Sequence, residues 1–436
     1  MKINKIFKNA SWIIGCKIVQ SLLGLIVSML TARYLGPSNF GVISYAISVV
    51  SFVIPIMQLG LNNIIVKEFV DYPEKEGEIL GSAILMSTIS ALVCMFGVGS
   101  FTILVNAGET ETIIVCVLYS FILIFQALEL SQYWFQAKLR SKYSAIVSLV
   151  AYLIVTIYKI ILLIFNKSIY WFAISNAIDY MLIAVSLLII YRKLGGHRLS
   201  FSKTVAKRMF LQGRYYIVSS LMVTIFAQTD RIMIKLMIDD ASTGYYSAAI
   251  SCAGLTSFVF SAVIDSFRPQ ILESYQENIF HFEKNVSRLY AIVIYLALGQ
   301  SVFMTLFSKI IIGVLYGDAY VPAVTALQIV VWYTTFSYIG SVRNIWILAE
   351  QKQKYLWIIN LSGAIINVIL NYILIPILGI NGAAVASLAT QIFANVIIGF
   401  IIKPIRKNNF LMFKGLNPIL FVRKKEGENN ETIRSK

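Results

Sequence analysis

Charged side chains are scarce in this chain. Asp, Glu, Lys and Arg make up 13% of its 436 residues, about half the share usual in a soluble domain. That shortage excludes two or three soluble domains, which the length alone would suggest. Cysteine is scarce too: Cys16, Cys94, Cys116 and Cys252 lie in apolar runs with no close spacing, so no disulfide framework is expected. The two histidines, His197 and His281, stand far apart in polar loops, and no metal site is expected. The glycines of "FGVGS" (96–100) are not followed by Gly-Lys-Ser/Thr, so no phosphate loop is present. Gly-x-Ser-x-Gly is absent as well. Enzymatic signatures and a resident cofactor are therefore not expected.

What the chain has in quantity is grease. Hydrophobic residues reach 58% and mean hydropathy is +0.76. Apolar runs long enough to cross a bilayer recur throughout. The expected spans lie at 10–34, 40–65, 79–105, 112–137, 143–165, 169–191, 211–238, 243–270, 287–312, 320–348, 355–378 and 380–403. The fold class expected is all-α integral membrane.

Net charge is +16, and its placement argues for topology and against nucleic acid. With the N-terminus inside, 28 of the 37 Lys and Arg fall on inner segments, and only Arg33, Lys167, Lys235 and Lys309 fall outside. Lysine and arginine gather in cytoplasmic loops as a rule, so both ends are expected in the cytoplasm. The segment 404–436 is basic and polar, expected to meet anionic lipid and then lose order.

The second half repeats the first. "FGVISYAIS" (40–48) aligns with "TGYYSAAIS" (243–251) at an offset of 203, and two Lys-Tyr pairs (142–143 and 354–355) lie 212 apart. Both halves begin and end inside. They form a parallel repeat about an axis normal to the membrane, as in many transporters. The expected division is 1–197, a six-helix bundle; 198–403, a second six-helix bundle; and 404–436, a tail.

Several charges sit where a bilayer penalises them by about 2.5–3.5 kcal/mol even on the lenient insertion scale. Lys17 lies ~10 Å into the first span and Asp179 ~15 Å into the sixth. Asp230 and Arg231 occur within "QTDRIMIKLM" (228–237). Asp265 is three residues from Arg268 and can pair with it on one helix face. Arg214 and Arg343 are near enough to the inner surface to snorkel. Asn360, Asn367 and Asn371 form a narrow polar stripe on one helix. Asp179, Asp230 and Asp265 are candidates for gating or ion coupling.

"LTARYLGPSNFGVISYAIS" (30–48), "QLGLNNIIVKEF" (58–69), "QTDRIMIKLM" and "NLSGAIINVILNYILIPILGINGAAVAS" (360–387) together resemble the Wzx-type polysaccharide flippases of the multidrug/oligosaccharidyl-lipid/polysaccharide exporter superfamily. The resemblance covers residues 1 to about 403. It implies a V-shaped pair of bundles and alternating access. It also implies an undecaprenyl-diphosphate-linked oligosaccharide as cargo, moved to the outer leaflet of a bacterial cytoplasmic membrane. Membrane lipids and the machinery of polysaccharide polymerisation are the implied partners. By analogy with cationic cavities in that family, Lys17, Arg33, Arg214 and Arg231 are the candidate diphosphate contacts. The alternatives are a multidrug exporter of the same superfamily, a membrane enzyme of glycan assembly, or a scaffold for the assembly machinery.

Overall fold

A computed structural model describes the backbone over residues 2–418 and side chains at 15, 16 and 19–418. Lys17 therefore lies outside the described side chains. Among the described residues the chain is entirely helical. Its body is α1 (Val19–Met57), α2 (Pro73–Val105), α3 (Thr110–Ala137), α4 (Ser141–Ile164), α5 (Ile169–Lys193), α6 (Lys203–Met237), α7 (Asp240–Glu277), α8 (Ile279–Tyr316), α9 (Ala323–Ala349), α10 (Gln353–Leu378) and α11 (Ile380–Ile401). All but α9 are long and apolar enough to cross a membrane. α9 is 27 residues long and carries the hydroxyl-rich run "YTTFSY" (333–338). The chain is a multi-pass membrane protein.

The helix ends follow local chemistry. α1 is two arms joined at Gly36, whose φ of 73° and ψ of 172° leave the helical region. Glycine takes that conformation without a Cβ clash, and Pro37 then opens the second arm, where its missing N–H is no loss. The second arm was expected to run to 65 but ends at Met57, because Leu59 and Gly60 turn the chain with positive φ. A short helix, Ile65–Asp71, follows. Asp239 caps α7 by accepting from the Ser242 N–H at 2.7 Å, and Asn278 caps α8 through the Phe280 N–H at 2.7 Å.

Apolar side chains gather in four clusters. Two come from the first half, around Tyr45 and Cys116 and around Leu61, Trp134 and Tyr191. Another surrounds Trp346 and Tyr290 in the second half. The fourth joins Tyr246, Tyr316 and Tyr320 to Ala32 and Phe40 of α1, so the halves share a core at one end.

α6 also crosses between halves. Its first turns pack Val205 and Met209 against Leu61 and Ile65. Arg208 pairs with the buried Glu68 at 2.5 Å. Its final turns carry Ile234 into the shared core. The tail begins with α12 (Arg406–Lys414), which does not lie free. Lys407 pairs with Glu283 of α8 at 2.7 Å, and Tyr290 donates to the buried Asn408 at 2.9 Å.

Candidate functional site

The seam between the halves is built from the repeat itself. Gly41 and Gly244, equivalent at the offset of 203, lie against each other. A Cβ on Gly41 would sit 1.8 Å from the Asp240 carbonyl oxygen, and one on Gly244 would sit 2.0 Å from that of Pro37. Pro37 and Asp240 are themselves equivalent at that offset. Residue i thus meets j while j meets i, the signature of contact across a two-fold axis. Only glycine allows backbones so close.

Polar contacts close the same end. Lys235 of α6, 4% exposed, pairs with Glu109 at 2.7 Å and with Asp240 at 2.6 Å. Glu109 belongs to the loop between α2 and α3, so the lysine ties the two halves together. Burial works to raise the Glu109 carboxyl, yet hydrogen bonds from Lys235 and Thr112 outweigh it and hold it below its ordinary value. Asn106 joins this group by donating to Glu109 and accepting from the Tyr45 hydroxyl. The Tyr320 hydroxyl donates to the Ala32 carbonyl at 2.8 Å.

Beyond this closed end a cleft of about 440 Å³ opens between the second arm of α1 and the middle of α6. Ser51 and Gln58 line one wall; Ser219, Ser220, Thr224 and Gln228 line the other. No residue lining it is acidic. Ser48 donates to Gln228 at 3.0 Å across its upper edge. The backbones of Leu59–Gly60 and Gly213 close in at its lower edge. Arg231 donates to the same Gln228 oxygen at 2.8 Å. Among the described residues no carboxylate lies within 4 Å of its guanidinium. An arginine held by a neutral amide keeps its charge available to phosphate oxygens.

Asp230, next in sequence, turns away into the second half. It is 6% exposed. Its Oδ1 accepts from Asn371 at 2.7 Å, and its Oδ2 accepts from the Tyr246 and Ser387 hydroxyls. Asn367 accepts from Asn371 at 3.1 Å, and the Asn371 oxygen is buried without a partner. Asp230 and Arg231 thus make no salt bridge with each other. A buried carboxylate beside hydroxyl and amide oxygens offers the oxygen ligands a hard cation takes. No group of three or more His, Cys, Asp or Glu is placed to hold a metal among the described residues.

The first half holds its own polar group. Lys159 donates to Asn176 at 3.3 Å, and one Asp179 oxygen is buried without a partner. Asp179 is thus inside the first half, apart from the inter-half cleft.

Other expected site residues are placed differently. Arg33 is exposed and donates to the Gly313 and Val314 carbonyls at 3.2 and 2.5 Å. It caps the end of α8 at the closed end, where cations suit unsatisfied carbonyls, and it is no cleft contact. Arg214 is exposed and donates to the Tyr215 hydroxyl at 2.8 Å. Asp265 is 63% exposed and pairs with Arg268 at 3.1 Å, apart from the inter-half cleft. The asparagine stripe divides: Asn367 and Asn371 serve Asp230, while Asn360 lines a separate pocket. Arg343 does not snorkel; it is 5% exposed.

Glu109 and Gln228 were missed in the sequence. Glu109 lies in "NAGETE" (106–111), which reads as an ordinary polar loop. The available signal was Lys235, a lysine closing an apolar run, but the nearby Asp239 and Asp240 already offered it local partners.

A family model for polysaccharide biosynthesis proteins matches residues 6–274. An uncharacterized membrane protein of Methanocaldococcus jannaschii is 28% identical over 240 residues, which cover 50% of this chain and 46% of that protein. The chain thus spans about half the length of that relative. Among solved structures, the lipid II flippase MurJ in an inward closed conformation superposes with a TM-score of 0.72 at 18% identity, covering 95% of this chain and 93% of that one. A multidrug resistance MATE transporter in an inward-facing conformation gives 0.67 at 13% identity, with 90% and 95% covered. A Vibrio cholerae MATE transporter gives 0.56 at 14% identity, with 94% and 98% covered. The all-α, two-lobed fold is the one these transporters share.

Proposed function

The chain belongs to the polysaccharide biosynthesis protein family, and from that premise we propose that it is a flippase for undecaprenyl-diphosphate-linked oligosaccharides. In that reading it is a membrane transporter of lipid-linked glycan cargo and not a catalytic enzyme. In the proposed reading, twelve crossing helices form two six-helix bundles, 1–197 and 198–403. Both termini and the tail face the cytoplasm of a bacterial cell. The closed end is then the outer side, and the cleft receives cargo from the inner leaflet.

The observation that carries this reading is Arg231: a guanidinium held by Gln228, which lines the cleft between the halves, and unpaired with any described carboxylate. A diphosphate shedding water needs a fixed cation of that kind. Serine, threonine and glutamine side chains suit sugar hydroxyls, and the polyprenyl tail stays in lipid. A cationic drug would instead need acidic lining, which this cleft lacks. Moving each negative charge outward across a 100 mV potential, inside negative, gains about 2.3 kcal/mol. The Asp230 group is the proposed coupling-ion site, with Asp179 a second candidate for protons.

The test is transport of a fluorescent lipid-diphosphate glycan in proteoliposomes. Arg231→Ala is expected to reduce flipping at least about tenfold, the loss of roughly one charge-assisted contact, with Arg231→Lys retaining part of it. Full activity in both variants would remove Arg231 from the diphosphate role.

A further inference from the structure

A second pocket, of about 160 Å³, lies wholly within the second half. α9 brings Ser337, Ser341, Arg343 and Asn344 to it, α10 brings Asn360, and α11 brings Gln391. Phe226 of α6 forms one side. On that helix Val223, Thr224 and Ala227 face the inter-half cleft, so α6 separates the two spaces.

Arg343 dominates the pocket's chemistry. It is 5% exposed, and among the described residues no carboxylate lies within 4 Å of it. Its Nη1 donates to the Ala394 carbonyl at 2.5 Å and its Nη2 to the Asn344 amide oxygen at 3.2 Å. Its Nε is buried with no partner. Ala394 sits in a five-residue π-helix, Phe393–Ile397. Such a turn displaces carbonyls from their usual helical partners and often marks a functional site. Arg343 takes a carbonyl within this π turn.

Neutral acceptors orient a guanidinium but leave its charge uncompensated, and a buried charge needs an opposite one. No lining residue is acidic, so a cation is excluded by repulsion. Hydroxyls and amides from three helices surround the arginine, and several divergent donors suit several acceptor oxygens. An engineered cavity of about 150 Å³ takes a benzene molecule, so this pocket has room for a phosphate-sized group but not an oligosaccharide. We propose that the Arg343 pocket is a binding site for a compact oxyanion of the phosphate class, separate from the inter-half cleft. It does not depend on the transport reading.

The test titrates inorganic phosphate into the full-length protein in detergent, at constant ionic strength with chloride as the balancing ion, and follows the melting temperature. The wild type should show a saturable rise, as any ligand selective for the folded state produces. Asn344→Asp sets a tethered carboxylate against Arg343 and should weaken the phosphate response by about tenfold or more, as 1.4 kcal/mol of competition would, while leaving the unliganded melting temperature equal or higher. Asn360→Ala should weaken it severalfold, and Gly97→Ala, at a position that meets nothing within 4 Å, should leave it intact. A short prenyl diphosphate acting at far lower concentration than phosphate, with that advantage lost in Asn344→Asp, would identify the oxyanion as a lipid headgroup; equal potency would identify a free ion. Either result supports the site. No saturable response in the wild type, the mark of a pocket holding water only, would overturn it. So would a full response in Asn344→Asp.

Discussion

Replacing Gly41 or Gly244 with alanine should drive the protein out of the conformation described here. A Cβ at Gly41 would lie 1.8 Å from the Asp240 oxygen, so the helices must separate by at least 1.2 Å to reach even the 3.0 Å that real contacts almost never go below. The obstacle is backbone on both sides, which no rotamer change relieves. Overpacking of this kind costs about 1–3 kcal/mol, and 2 kcal/mol changes a two-state ratio roughly 30-fold. The cost falls on the closed state alone, since the contact is lost once the halves part at that end. Pulsed electron resonance between spin labels on Lys167 and Lys309, both exposed in opposite halves, would read the separation. The four native cysteines are buried, which favours selective labelling. Because the two glycines are repeat equivalents, Gly41→Ala and Gly244→Ala should shift the distance to the same extent. Gly97→Ala, which meets nothing within 4 Å, should leave it unchanged. Distances identical to wild type in both seam variants would refute the idea that this crossing holds the end shut.

The ionic latch beside that crossing should behave as a weaker partner. Lys235→Met leaves Glu109 and Asp240 facing each other. With those partners 45% and 25% exposed, solvent discounts the loss to about 1–2 kcal/mol, seen as roughly a tenfold opening in the same spin-label measurement. Glu109 is depressed below its ordinary value, so its contribution is complete above the ordinary glutamate range near pH 4.3 and is lost only as pH falls through the depressed value. In an Asp240→Asn background, where Glu109 is the lysine's remaining acidic partner, the label distance should therefore stay constant from pH 8 to about 5; opening within that window would contradict the assignment. For Asp230, sodium is expected to raise the melting temperature of the wild type relative to a choline control, and Asp230→Asn should abolish that rise. A sodium response surviving in Asp230→Asn would move the coupling site elsewhere.

Much of the site was half-legible in the chain. Asp230 and Arg231 stood out together in an apolar run, yet adjacent helix positions point about 100° apart. One therefore enters the second half and the other the cleft edge. Asn367 and Asn371 share a helix face four residues apart and bond each other beside the Asp230 carboxylate, while Asn360, seven residues earlier on that stripe, lines the pocket that holds Arg343 instead. Arg33 sat within a recognisable motif, but its target is a helix end 280 residues away, and no local pattern encodes such a partner.

The sequence alone determined the solvent of each segment, the helical form of the spans, the bias of positive charge and the duplication. Each is set by the transfer free energy and backbone needs of residues close along the chain. Only the tertiary structure decided that the duplicated glycines touch, that Lys235 latches the halves through Glu109, and that Arg343 is walled in without a counter-charge. Those pairings join residues far apart in the chain. They depend on how closely two backbones approach and at what rotation, which packing sets and residue identity does not.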